Sequence, residues 1–133
     1  MSYDIFTFDP DKAPSDDGEL MSWYEEQAEW SEPHSYDDDS VTTPALRAFY
    51  RDMIRSFPPM NGPQALNSAD ADTDYSIGYG IIYATFRWSR SDEALSKFLS
   101  AGVKRRVGIC EVSELPVVIY RPPALSTSPE PPL

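Results

Sequence analysis

The first forty residues carry thirteen carboxylates and one cation. Asp4, Asp9, Asp11, Asp16, Asp17, Glu19, Glu25, Glu26, Glu29, Glu32, Asp37, Asp38 and Asp39 stand against Lys12. An element built from such a segment has to be one-sided, because an ionised carboxylate stays in water unless it is paired. The other 93 residues are nearly balanced, with nine acids and ten lysines or arginines. Almost all of the net charge of −11 therefore lies at one end of the chain. Such a field repels nucleic acid and anionic membranes and attracts a basic protein.

A chain of 133 residues, 41% of them hydrophobic, is long enough for one domain with a core that needs no staples. The expected division is a single α+β domain over 1–121 and a disordered proline-rich tail over 122–133. Pro122, Pro123, Pro129, Pro131 and Pro132 fall in that tail. Cys110 is the single cysteine, so neither an intrachain disulfide nor a thiolate zinc motif can form. Its setting, Val107 to Val112, reads as a strand and makes it a small buried hydrophobe before a catalytic thiol. The opening residues lack a basic region and an apolar core, so no signal peptide is read there. No apolar run approaches about 18 residues, and a cytoplasmic protein is expected.

Tyr3 to Phe8 alternates in aromatic and β-branched residues and predicts a strand. Asp16 or Asp17 caps a first helix whose inner stripe is Leu20, Trp23, Tyr24, Gln27 and Trp30, with glutamates outside. Thr43 and Pro44 open a second helix that runs to Phe57, before Pro58 and Pro59. Residues 58–74 form a long excursion, a functional loop or a flexible insert. Strands follow at 75–79 and 80–88, with both faces of the second largely apolar. Ser89 or Ser91 caps a third helix ending near Lys104, Arg105 and Arg106. Strands at 107–112 and 117–120 complete the order. Without one helix and the last strand, this is the ferredoxin-like split β-α-β-β-α-β pattern. The fold expected is α+β, three helices on one face of a four- to five-stranded, mostly antiparallel sheet.

Catalytic constellations are scarce, and the chain is expected not to be an enzyme. His34 is the single histidine, beside Asp37, Asp38 and Asp39. It reads either as a base or metal ligand with those aspartates, or as a solvated loop residue. The aspartates lack EF-hand spacing. Asp70, Asp72 and Asp74 alternate, as a weak cation site or a solubilising loop. No phosphate-binding glycine loop and no nucleophile elbow is present, so no cofactor or metal is expected. Lys104 to Arg106 read as helix-end or ion-pairing residues, and nucleic acid is not an expected partner. Trp30, at the end of an acidic helix, is either an exposed anchor or a staple between helix and sheet.

The segments Ser2 to Pro10, Trp23-Tyr24, His34 to Asp37, Thr43 to Leu46, Phe57 to Pro63 and Asp74 to Gly78 resemble those of a group of small bacterial cytoplasmic proteins of unassigned activity. The resemblance spans about residues 2–120. The genomic setting of that group resembles that of immunity proteins paired with secreted toxins, and it carries no catalytic residues.

The expected function is an acidic protein-binding domain, most concretely an immunity protein that occludes the active site of a basic toxin partner. The expected contact residues are Glu19, Glu25, Glu26, Glu29, Trp30, Glu32, His34, Tyr36, Asp37, Asp38 and Asp39. One alternative is an adaptor or structural protein. Another is a small metal-dependent hydrolase using His34 and the nearby aspartates.

Overall fold

The computed structural model of the chain describes residues 2–65 and 71–122. From residue 123 onward the expected tail lies outside the described residues, as does Asp70. The strands are β1 (Ser2–Phe8), β2 (Asp74–Ile77), β3 (Ile81–Arg87), β4 (Gly108–Glu111) and β5 (Val118–Tyr120). The helices are α1 (Asp17–Gln27), α2 (Pro44–Met53) and α3 (Ser91–Arg105). The strands form one sheet in the order β2-β3-β1-β4-β5, every neighbour antiparallel. The α+β class and the five-stranded antiparallel sheet are as the sequence predicts. Leaving out α1 and β5, the order β2-β3-β1-β4 is that of the split β-α-β-β-α-β unit.

The helices are not all on one face. α2 and α3 cover the side that carries Tyr3, Ile5, Ile82, Ala84, Phe86 and Ile109. α1 covers the other side, where Leu20 meets Phe6, Phe8, Ile81 and Cys110. The cause lies in the central strands. Ile5 and Phe6 on β1, and Ile81 and Ile82 on β3, are all fully buried although neighbours point to opposite faces. A sheet that is apolar on both faces needs a cover on both. α1 supplies the second cover with a narrow stripe: Leu20 is its one fully buried residue, and Tyr24 stacks on Phe6 with ring centres 4.6 Å apart.

The helix starts follow local chemistry. Asp16 caps α1 by accepting the Glu19 N–H at 3.0 Å. Thr43 caps α2 by accepting the Leu46 N–H at 3.3 Å, with Pro44 first in the helix. Thr43→Ala is expected to lower stability by about 1 kcal/mol. Urea melts of parent and variant measure it, and an unmoved midpoint would remove Thr43 from the cap. α2 ends at Met53, and 54–57 continue as turns. α3 departs from its expected cap. A 3₁₀ turn over Trp88–Arg90 feeds it, and neither Ser89 nor Ser91 holds its first turn from the N-cap position, which Arg90 occupies without a side-chain bond.

Cys110 is fully buried, its sulfur 4.0 Å from that of Met21. Burial pushes its thiol up to about 12, so no thiolate forms near neutrality. The 58–74 excursion is anchored at both ends. Pro59 bridges Thr73, the Met60 N–H donates to the Thr73 carbonyl at 2.9 Å, and Asp72 pairs with Arg87.

Candidate interaction surface

The turn between β2 and β3, Gly78-Tyr79-Gly80, is where the acidic third of the chain converges. After α1 the chain reverses at Trp30, whose φ of 51° is the left-handed region a bulky residue rarely enters. That reversal sets the indole edge-on to Tyr36 (5.1 Å) and Tyr83 (6.3 Å). Trp30 is thus the staple and not the exposed anchor. The following loop folds onto the turn through backbone bonds. Ile77 N–H donates to the Tyr36 carbonyl at 2.8 Å, and the Thr42 hydroxyl donates to the Tyr79 carbonyl at 3.2 Å.

Glu32 and His34 close the loop onto the turn. Glu32 Oε1 accepts the Tyr79 N–H at 3.0 Å and lies 2.6 Å from His34 Nε2. His34 Nδ1 lies 2.7 Å from the Ser35 carbonyl. Both ring nitrogens therefore face acceptors, and the imidazolium alone can donate to both. The ring packs in tilted contacts against Tyr36 (4.5 Å) and Tyr79 (4.9 Å), and its side chain is only 10% exposed. Burial pulls the imidazole down, but the Ser35 carbonyl and the Glu32 carboxylate outweigh it, so His34 titrates above its usual 6.5.

The sign of the pH effect follows. With the folded value raised, this stabilisation is complete below the unfolded value of about 6.5 and is lost as pH rises through the folded one. Parent protein is expected to lose stability as pH rises above about 6.5 by a component that His34→Gln lacks. Melts across that range measure it. Equal pH slopes in the two proteins would exclude the latch.

The expected contact residues divide into two groups. Glu19, Glu25 and Glu26 on α1 and Glu29 just past its end are exposed, and among the described residues none has a cation within ion-pair distance. Glu32, His34 and Tyr36 are tied together at the turn and partly buried. Asp37 is half-buried, and its carbonyl abuts Gly62, which at φ 89° has no room for a side chain. Asp38 caps a 3₁₀ turn over Asp39–Val41 by accepting the Ser40 N–H at 2.9 Å. Asp39 is corrected outright. It is 4% exposed and grips Arg51 with both oxygens, Nε at 2.5 Å and the second nitrogen at 3.1 Å. It serves the attachment of the loop to α2 and offers nothing to a partner.

Tyr79 is the aromatic that the sequence reading missed. It is 46% exposed at the turn, beside Glu32 and His34. The two flanking glycines were the available signal, since they let neighbours close in: a side chain on Gly80 would meet Lys12 at 2.8 Å and Trp23 at 3.6 Å. The surface thus has an exposed aromatic, Glu32 beside it, and the exposed glutamates of α1 and its end beyond Trp23.

The hydrolase alternative needs His34 to converge with the aspartates. They hold separate partners instead: Glu32 and Ser35 for His34, Ser40 for Asp38, and Arg51 for Asp39. Among the described residues, no three histidine, cysteine or acidic side chains group closely enough to hold a metal ion. No helix among them is long and apolar enough to cross a membrane. The chain matches no protein-family model, no curated protein and no solved structure.

Proposed function

We propose that this protein binds a basic protein partner through the surface around Tyr79 and the outer face of α1. The observation that carries the reading is the standing of Glu19, Glu25, Glu26 and Glu29, exposed and without ion-pair partners among the described residues, on and just past the helix whose Trp23 reaches the turn of an exposed aromatic. Crowded like charges cost stability. A partner surface rich in lysine and arginine offsets that cost and is drawn in from a distance. An aromatic inside a charged rim is a common arrangement of interface centres.

The most concrete form is an immunity protein that neutralises a toxin of the same bacterium by covering its active site. The resemblance of the segments from Ser2 to Gly78 to proteins of that setting supports it. Toxins that act on nucleic acid carry basic active surfaces, and a dense carboxylate face occludes them without a cofactor. The test is affinity capture from a lysate of the source cell, read by mass spectrometry, with parent protein and the Glu25→Lys, Glu29→Lys variant as bait. A basic toxin held by the parent and lost by the variant supports the reading. A partner held equally by both would replace it with the adaptor alternative.

A further inference from the structure

The helix layer on the other face of the sheet has the opposite charge. Residues 44–57 and 88–106 hold eight lysines and arginines against Asp52, Asp92 and Glu93. Arg51 and Arg105 are tied to Asp39 and Asp52, and Arg47 donates to the carbonyls of Asp39 and Ser40. The others include a group that converges where the end of α2 meets the start of α3. Arg55, Ser56 and Arg90 line a depression of about 420 Å³ there. Ser56 also borders an adjoining one of about 350 Å³, lined further by Ser96, Lys97 and Ser100. Glu93 is the one carboxylate in either.

That carboxylate has a partner already. Its Oε2 accepts from Arg90 at 3.2 Å, while the Arg90 guanidinium lies 4.3 Å above the centre of the Phe57 ring. The two contacts orient Arg90 before any ligand arrives, which lowers the ordering cost of binding. Arg55 and Lys97 have no carboxylate within ion-pair distance among the described residues.

We propose that this groove binds a small soluble ligand through a phosphoryl group. Guanidinium forks match phosphoryl oxygens, and the lysine adds a point charge. The serine hydroxyls supply donors for the remaining oxygen lone pairs. Arg55 and Arg90 in one depression and Lys97 in the adjoining one, against the single carboxylate Glu93, favour a multiply charged oxyanion over a single carboxylate. The field of a chain with net charge −11 opposes anions in general, so retention here requires local contacts.

Calorimetric titration with inorganic pyrophosphate tests this, with folding of each variant checked by its melting midpoint. Parent protein is expected to bind saturably at one site. Arg55→Gln with Arg90→Gln is expected to weaken binding by about tenfold or more. Lys104→Gln with Arg106→Gln removes the same charge outside the groove and is expected to change Kd by no more than about twofold. Lys97→Gln provides a second groove variant that leaves the Arg90 stacking on Phe57 in place, and weakening is expected there too. No saturable binding up to about 10 mM pyrophosphate overturns the proposal, since that limit lies beyond any useful affinity. Equal weakening by both double variants overturns it as well, because a general field would then explain the binding. Vesicles containing phosphatidic acid are expected not to bind. Binding to them without binding to pyrophosphate would assign the groove to a membrane and refute the soluble ligand.

Discussion

Phe98→Ala is expected to lower the unfolding free energy by about 3–5 kcal/mol, a large share of the roughly 5–15 kcal/mol that holds a domain together. Phe98 is fully buried on the inner face of α3. Its ring stands edge-on to Phe49 of α2 at 4.8 Å and to Phe86 of β3 at 5.8 Å. It is the point where the two helices and the sheet meet. Truncation removes the burial of one ring and both edge contacts, and close-packed neighbours collapse only in part around the void. The thermal midpoint is expected to fall by more than about 10 °C. Val103→Ala, on the same helix and 71% exposed, is expected to change stability by less than about 0.5 kcal/mol. A Phe98→Ala midpoint as close to the parent as that of Val103→Ala would show that the α2–α3 layer is not the main core.

Glu25→Lys with Glu29→Lys is expected to slow association with the proposed basic partner by about tenfold or more, and to flatten its salt dependence. Glu25 is exposed on α1 and Glu29 just past its end, and lysine is as good a helix former as glutamate. α1 is therefore expected to persist and the melting midpoint to stay. Only the long-range field changes, by four charges. Tyr79→Ala is expected to act differently, mainly by speeding dissociation, because it removes contact area and not charge. Stopped-flow or surface-based kinetics at about 50 mM and about 300 mM salt separate the two effects. If both variants bind as the parent does at both salt concentrations, the acidic surface is not the interface, and the α2–α3 side becomes the place to look. Trp30 is not a useful probe of binding. Its contacts with Tyr36 and Tyr83 make Trp30→Ala a change in the loop itself.

The sequence by itself determined what depends on neighbours along the chain. Runs of aromatic and β-branched residues marked β1 and β3, because such side chains favour the extended backbone. Thr43 with Pro44, and Asp16, marked helix starts, because a cap and its N–H lie three residues apart. The order of elements carried the split β-α-β-β-α-β topology, and the crowding of acids marked one solvated side. Tertiary structure alone decided what depends on residues far apart in sequence. β3 was visibly apolar on both faces, yet which helix covered which face depended on how the chain returned after β1. The run Asp37-Asp38-Asp39 reads as three equal charges, but Asp39 is buried because Arg51, twelve residues on, reaches it. His34 acquires its two tyrosine contacts and Tyr79 its exposed place only when a loop from the first third closes on a turn near residue 79. The groove of Arg55, Arg90 and Lys97 arises in the same way. Its cations stand on two helices whose packing on the sheet brings them to one place, and no local spacing in the chain records that approach.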